Sequence, residues 1–158
     1  MASFRSEYRV GVPLAVETVW DVLADLPAWP QWNPLYERLE GALRIGSQLD
    51  VVQNLGGRQV RTHPIVMDWV PHSQILWRQT SWAGMIIRLR YFELERLHDQ
   101  GCIFSCGEVV QGRMTELIDT RRNRRNLYRM CEITGEALRE RMLPGWRETG
   151  DGPTSTPS

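Results

Sequence analysis

The chain has 158 residues, with nineteen basic and nineteen acidic side chains that cancel at pH 7. That length suits one domain able to bury about two-thirds of its unfolded surface, and the charge balance steers it toward neither nucleic acid nor an anionic membrane. Three histidines without a CxxC or HxxxH spacing predict no metal site. Cys102, Cys106 and Cys131 form an odd, sparse set that suits a reducing compartment better than a disulfide scaffold. On a shared strand Cys102 and Cys106 would stand about 13 Å apart, beyond the roughly 7 Å limit for bridged Cα atoms. The first ten residues lack an apolar core of signal-peptide length, and no stretch approaches the ~18 uninterrupted apolar residues of a membrane span. The expectation is a soluble, cytoplasmic protein with no stable membrane insertion.

In chain order, "EYRVGV" alternates as a strand, and "LAVETVWDVLADL" carries Val16, Val19, Trp20 and Leu23 at helical spacing. Asp25 and Pro27 close that helix. "PAWPQWNPL", residues 27–35, puts Trp29 and Trp32 one helical turn apart between prolines, which predicts a second short helix with both on one face. Six β-like segments follow: "LYERLEG", "GSQLDVVQNL", "RQVRTHPIVMDWV", "SQILWRQTS", "MIIRLRYFELERL" and "CIFSCGEVV". Their short connections make sequential neighbours antiparallel. From about Glu116 a run without proline places Leu127, Cys131, Thr134, Leu138 and Met142 on one helical stripe. Gly135 within it marks a close approach to the sheet. Residues 1–146 thus read as one domain and 147–158, nearly devoid of apolar side chains, as a disordered tail. The fold class is α+β: a curved antiparallel sheet of about seven strands around a long C-terminal helix, with two short helices between strands 1 and 2. Such a sheet encloses more space than one helix fills, which leaves a cavity.

The stretches "VETVWDVLADLPAWPQWNPLYERLEG", "VPHSQILWR", "RYFELERLHDQGCIFSCGEVVQG" and "LYRMCEITGEALRERM" carry a resemblance to the START-like (SRPBCC) helix-grip superfamily, in particular its bacterial polyketide cyclase/dehydrase and lipid-transport branch. The resemblance implies the helix-grip fold and a hydrophobic or aromatic small molecule held between sheet and helix. It also implies that the shared face of Trp29 and Trp32 lies beside the end of the long helix near the pocket entrance, with at least one of the two, Trp32 before Trp29, buried. It selects neither carrier nor enzyme, because a fold hosts many functions. Where that family's long helix commonly reads Met-Asn, this chain has Met130-Cys131, so a role for the amide does not carry over.

A three-residue loop at Asp99-Gln100-Gly101 would set Leu94 against Cys106, Phe92 against Glu108 and Arg90 against Val110. The resemblance implies that Phe92, Leu94 and Glu108 point inward, which puts Arg88, Arg90, Phe92, Leu94, Phe104, Cys106, Glu108 and Val110 on the concave face. The opposite face, with Ile87, Leu89, Tyr91, Ile103 and Val109, is also apolar enough to be the inner one, and a two-residue turn or one bulge would flip one strand relative to the other. Arg90 and Glu108 would then meet diagonally, as a salt bridge or as a polar anchor in which Arg90 holds an anionic oxygen and Glu108 orients it or acts as a base. His63, on the face of Ile65, Met67 and Trp69, reads first as a packed or rim residue and second as a proton shuttle. The catalytic candidates are therefore Arg90, Glu108 and His63, and the ligand-binding set is Trp32, Met67, Trp77, Arg90, Phe92, Glu108, Leu127 and Cys131. The arginines of "TRRNRRNLYR" read as a solvated helix face or as a basic rim at the pocket mouth, and no aromatic stacking motif accompanies them to support nucleic-acid binding. Two functions compete: a carrier or sequestering protein for a hydrophobic or aromatic ligand (polyketide-like, isoprenoid or lipid), and a cofactor-independent cyclase, dehydratase or aromatase using the same pocket. Neither calls for a cofactor, and a homodimer is admitted as a partner.

Overall fold

The computed structural model describes residues 3–143; the expected tail at 147–158 lies outside them. Strand β1 (Ser3–Val12) leads into helix α1 (Val16–Ala24) and a 3-10 segment (Leu26–Gln31). Seven further strands follow: β2 (Tyr36–Glu40), β3 (Asp50–Leu55), β4 (Arg58–Thr62), β5 (Ile65–Val70), β6 (Gln74–Ser81), β7 (Ile86–His98) and β8 (Gly101–Gln111). Helices α2 (Thr115–Ile118) and α3 (Arg121–Met142) close the chain. The fold is the expected helix grip. One sheet runs β1-β8-β7-β6-β5, a second runs β2-β3-β4, and all pairings are antiparallel. The segment leading into β3 bridges to β5 at Gln48 and Ile65, with backbone bonds on either side from Leu49 N to Pro64 O and from Val66 N to Ser47 O. Helix α3 lies across β1 and β8.

The strand count is eight where the sequence predicts about seven, because "RQVRTHPIVMDWV" is two strands in two sheets. Pro64, with no N–H to give a ladder, falls between β4 and β5 and turns the chain from one sheet to the other. The long C-terminal run is likewise divided. Asp119 and Thr120 interrupt it, and the Thr120 side chain caps α3 by accepting from Asn123 N at 3.0 Å.

The β7–β8 hairpin differs from the predicted register in an instructive way. The turn has two residues, Asp99 and Gln100, which alone would flip one strand against the other. A bulge between Arg96 and His98 flips it back. The faces are therefore those predicted, while the partners shift: Arg90 opposes Glu108, Phe92 opposes Cys106 and Leu94 opposes Phe104. A second bulge, between Val66 and Asp68, has the opposite outcome on β5. Val66 and Trp69 face the core and Met67 is pushed outward, where alternation placed Met67 inside.

"PAWPQWNPL" is the hub of the core. Trp29 is fully buried and donates from Nε1 to Leu23 O at 2.9 Å. Its ring lies 4.9 Å from that of Trp32, 5.2 Å from Tyr36 and 5.0 Å from Phe92. Both tryptophans are buried, Trp29 more deeply than Trp32. Asn33, also buried, donates from Nδ2 to Thr134 Oγ1 at 3.2 Å and accepts from Leu35 N, so the exit turn is tied to the middle of α3. At the next residue, Gly135 admits Tyr8: a Cβ there would stand 2.7 Å from Tyr8 Cδ2.

Replacing Trp29 with alanine removes the shared ring contact of three elements and a buried hydrogen bond. The expected loss is about 3–5 kcal/mol in urea unfolding. A loss below about 1 kcal/mol would contradict the hub.

Candidate functional site

The concave side of the sheets and the first half of α3 enclose a cleft of about 380 Å³. Alternation on β3 and β4 supplies Gln53, Leu55, Val60 and Thr62, with Arg58 at the outer end of β4, and α3 contributes Asn123, Asn126, Leu127 and Met130. Gln79, Arg88, Arg90 and Glu108 form its floor on the larger sheet. The helix side of the rim is thus amide, because the exposed arginines of the run turn elsewhere. Arg124 pairs with Asp119 and stands 5.1 Å over the Phe4 ring, and Arg129 pairs with Glu132.

The floor is a buried ion group. Glu108 is only 2% exposed. Arg90 grips its Oε1 with Nε at 2.8 Å and Nη2 at 2.6 Å, while Arg88 Nη1 reaches Oε2 at 2.9 Å. The remaining Arg90 nitrogen, Nη1, donates to Tyr36 Oη at 3.0 Å, which engages all three of its nitrogens. Burial pushes the Glu108 carboxyl up, but Arg90 and then Arg88 outweigh it and hold the group below its ordinary value. Burial also opposes the Arg90 charge, yet Glu108 holds that guanidinium well above its ordinary value. Burial raises the Tyr36 phenol, against the pull of Arg90. Two cations and one anion leave a surplus positive charge. It is carried by Arg88, whose side chain is 36% exposed, whereas that of Arg90 is 15% exposed.

Behind Arg90 the interior is nearly closed. A void of about 10 Å³ lies among Tyr36, Phe92, Cys106, Met130, Cys131 and Thr134. Cys106 and Cys131 approach from sheet and helix, and burial pushes the Cys106 thiol well up. A separate open groove of about 580 Å³ runs along the second half of α3, past Trp32, Pro34, Ile133 and Ala137.

The predicted residues are distributed over these spaces. Arg90, Glu108 and Leu127 line the cleft; Phe92 and Cys131, with Arg90 again, line the void behind it. Trp77 is buried in the aromatic core, 5.0 Å from Phe92, and Trp32 borders the separate groove. The structure does not bring Met67 or His63 to the cleft. Met67 is exposed by the β5 bulge, and His63 falls in the β4–β5 connection with Nε2 3.6 Å from Asp50 Oδ1. Among the described residues no cluster of three or more His, Cys, Asp or Glu side chains could hold a metal ion, and no helix is long and apolar enough to cross a membrane. Sequence reasoning missed Tyr36 and Gln53. The signal for Gln53 was present, as the polar member of the inward alternation Val51-Gln53-Leu55 on β3.

A curved sheet gripping one long helix over a cleft defines a START-like, helix-grip protein. The chain belongs to the polyketide cyclase/dehydrase and lipid transport family, whose sequence model matches residues 3–120. Among solved structures it is similar to a START superfamily protein from Mycobacterium smegmatis, with a TM-score of 0.74 and 18% identity over 89% of this chain and 97% of that one. The Zhui aromatase/cyclase from Streptomyces sp. R1128 has a TM-score of 0.67 and 16% identity over 98% of this chain and 100% of that one. Major latex-like protein 151 from Panax ginseng has a TM-score of 0.74 and 6% identity over 90% and 99%. No curated protein sequence matches significantly.

Glu108→Gln removes the counter-charge of two guanidiniums and is expected to cost about 3–5 kcal/mol near neutral pH. Because the folded carboxyl sits below its ordinary value of 4.5, its stabilisation is full above that pH and is lost as pH falls through the folded value. Unfolding of both proteins across pH 3–7 should therefore show the gap narrowing in acid. A gap independent of pH would contradict the charged state assigned to Glu108.

Proposed function

We propose that the protein binds a small, largely apolar aromatic or isoprenoid-like molecule bearing an anionic oxygen, in the cleft between sheet and α3, as a carrier or sequestering protein. The observation that carries this reading is the surplus positive charge of the Arg88–Glu108–Arg90 group beneath the apolar walls of Leu55, Val60, Leu127 and Met130. Arg88 is partly exposed and shares its carboxylate partner with Arg90, so a carboxylate, phenolate or enolate reaching it from the cleft would add a charge-assisted bond. The volume falls within the range of small-molecule pockets.

The same geometry favours holding over turnover. A carboxylate gripped by two guanidiniums is a weak base, so Glu108 suits orientation better than the proton abstraction a cyclase would ask of it. Three free cysteines support a cytoplasmic setting.

Calorimetric titration with 2-naphthoate and with naphthalene tests this. The naphthoate should bind once per chain, and Arg88→Met should weaken it about tenfold while leaving naphthalene unchanged. Equal affinity of wild type and variant for naphthoate would remove Arg88 from the site. An absence of binding by either probe would count against the cleft.

A further inference from the structure

The cleft contains a hydrogen-bond donor that the protein itself leaves unused. Gln53 is only 6% exposed, and its Nε2 has no hydrogen-bond partner. Of the buried side-chain nitrogens in that state among the described residues, it is the one that borders the cleft. The position is central in the small sheet, with Tyr36 opposite on β2 and Val60 opposite on β4. Its neighbours on the same face, Val51 and Leu55, are apolar, so packing alone would be served by leucine or valine. A buried amide donor without a partner is a cost the fold carries.

The neighbouring groups do not discharge that cost. Glu108, the carboxylate of the cleft, has both oxygens engaged by Arg88 and Arg90. The Tyr36 oxygen across the strand pair already accepts from Arg90. Gln53 borders the space a ligand would occupy, and its covered Nε2 would meet a ligand there through a change of side-chain rotamer.

We infer that Gln53 is a specificity-determining residue whose Nε2 donates to a neutral acceptor oxygen of the ligand, a ketone, ester or amide carbonyl, placed on the opposite wall from the anionic oxygen at Arg88. This rests on the ligand-binding reading of the cleft and narrows it. The molecule taken up carries two differently charged oxygens on an apolar frame: one is met by a guanidinium on the large sheet, the other by an amide on the small sheet. A site built to hydrogen-bond a ligand oxygen rejects the analogue that lacks it far more strongly than an apolar pocket rejects an added oxygen. Gln53 therefore sorts oxygenated ligands from hydrocarbons of the same shape. The stability that a leucine would provide is given up for that discrimination.

Two isosteric probes isolate the effect: 2-acetylnaphthalene, with a carbonyl oxygen, and 2-isopropenylnaphthalene, with a methylene in its place. Each is titrated into wild type and Gln53→Leu. The wild type should prefer the ketone by about tenfold, and the ratio should collapse toward one in Gln53→Leu with hydrocarbon affinity kept or improved. Thermal unfolding of the ligand-free proteins supplies the second readout. Gln53→Leu should melt a few degrees higher than wild type, because it removes an unsatisfied donor. The same ketone preference in both proteins, or a Gln53→Leu protein that melts lower, would overturn the inference while leaving the cleft reading intact. Failure of both probes to bind wild type would instead remove the cleft reading and this inference with it.

Discussion

A carboxylate at 2% exposure survives only if its charge is met, and the way Glu108 is met governs much of this molecule. Arg90 and Arg88 must both lie on the concave face of β7, and Glu108 must lie beside them on β8. That requires the particular hairpin register observed, with its bulge near the turn. Tyr36 takes up the last nitrogen of Arg90 and so couples the small sheet to the large one. A floor of charged groups also resists being covered by the apolar face of α3. The first half of that helix presents Asn123 and Asn126 to it, and a cleft remains. The second half, by contrast, closes tightly on the sheet: Gly135 rests on Tyr8, and Thr134 is hydrogen-bonded to Asn33.

The structure thus has a closed end and an open end along one helix. At the closed end the clustered rings of Trp29, Trp32, Tyr36, Trp77 and Phe92 fill the interior and leave only a trace of void beside Cys106 and Cys131. At the open end charged and amide groups face the apolar side chains of Leu55, Val60, Leu127 and Met130 across the cleft. Dispersion and burial stabilise the first; paired charge stabilises the second. The division also separates roles among the tryptophans, since neither Trp29 nor Trp77 borders the cleft.

Much of this is legible in the residues, and the exceptions share a cause. Helical stripes survive because a 3.6-residue period tolerates small irregularities: Val16, Val19, Trp20 and Leu23 are all buried as their spacing implies. Strand faces are exposed to single-residue insertions, since one bulge exchanges inside and outside. On β7 and β8 a short turn and a bulge cancel, and the concave face comes out as expected with partners two residues displaced. On β5 nothing cancels the bulge, and Met67 is lost from the interior. His63 is misplaced by Pro64, which ends one strand where alternation continues it. Gln53 passed unremarked because a glutamine in an apolar alternation looks like noise until its amide is seen to be buried and unbonded.

The central claim is that this cleft holds a small oxygenated molecule. Native mass spectrometry of the full chain purified from its own host tests it most directly. The account predicts a retained small molecule, one per chain, that is released on denaturation and is depleted when Arg88 is replaced by methionine. A chain that emerges at its bare mass, together with a folded Arg88→Met variant indistinguishable from it, would contradict the account.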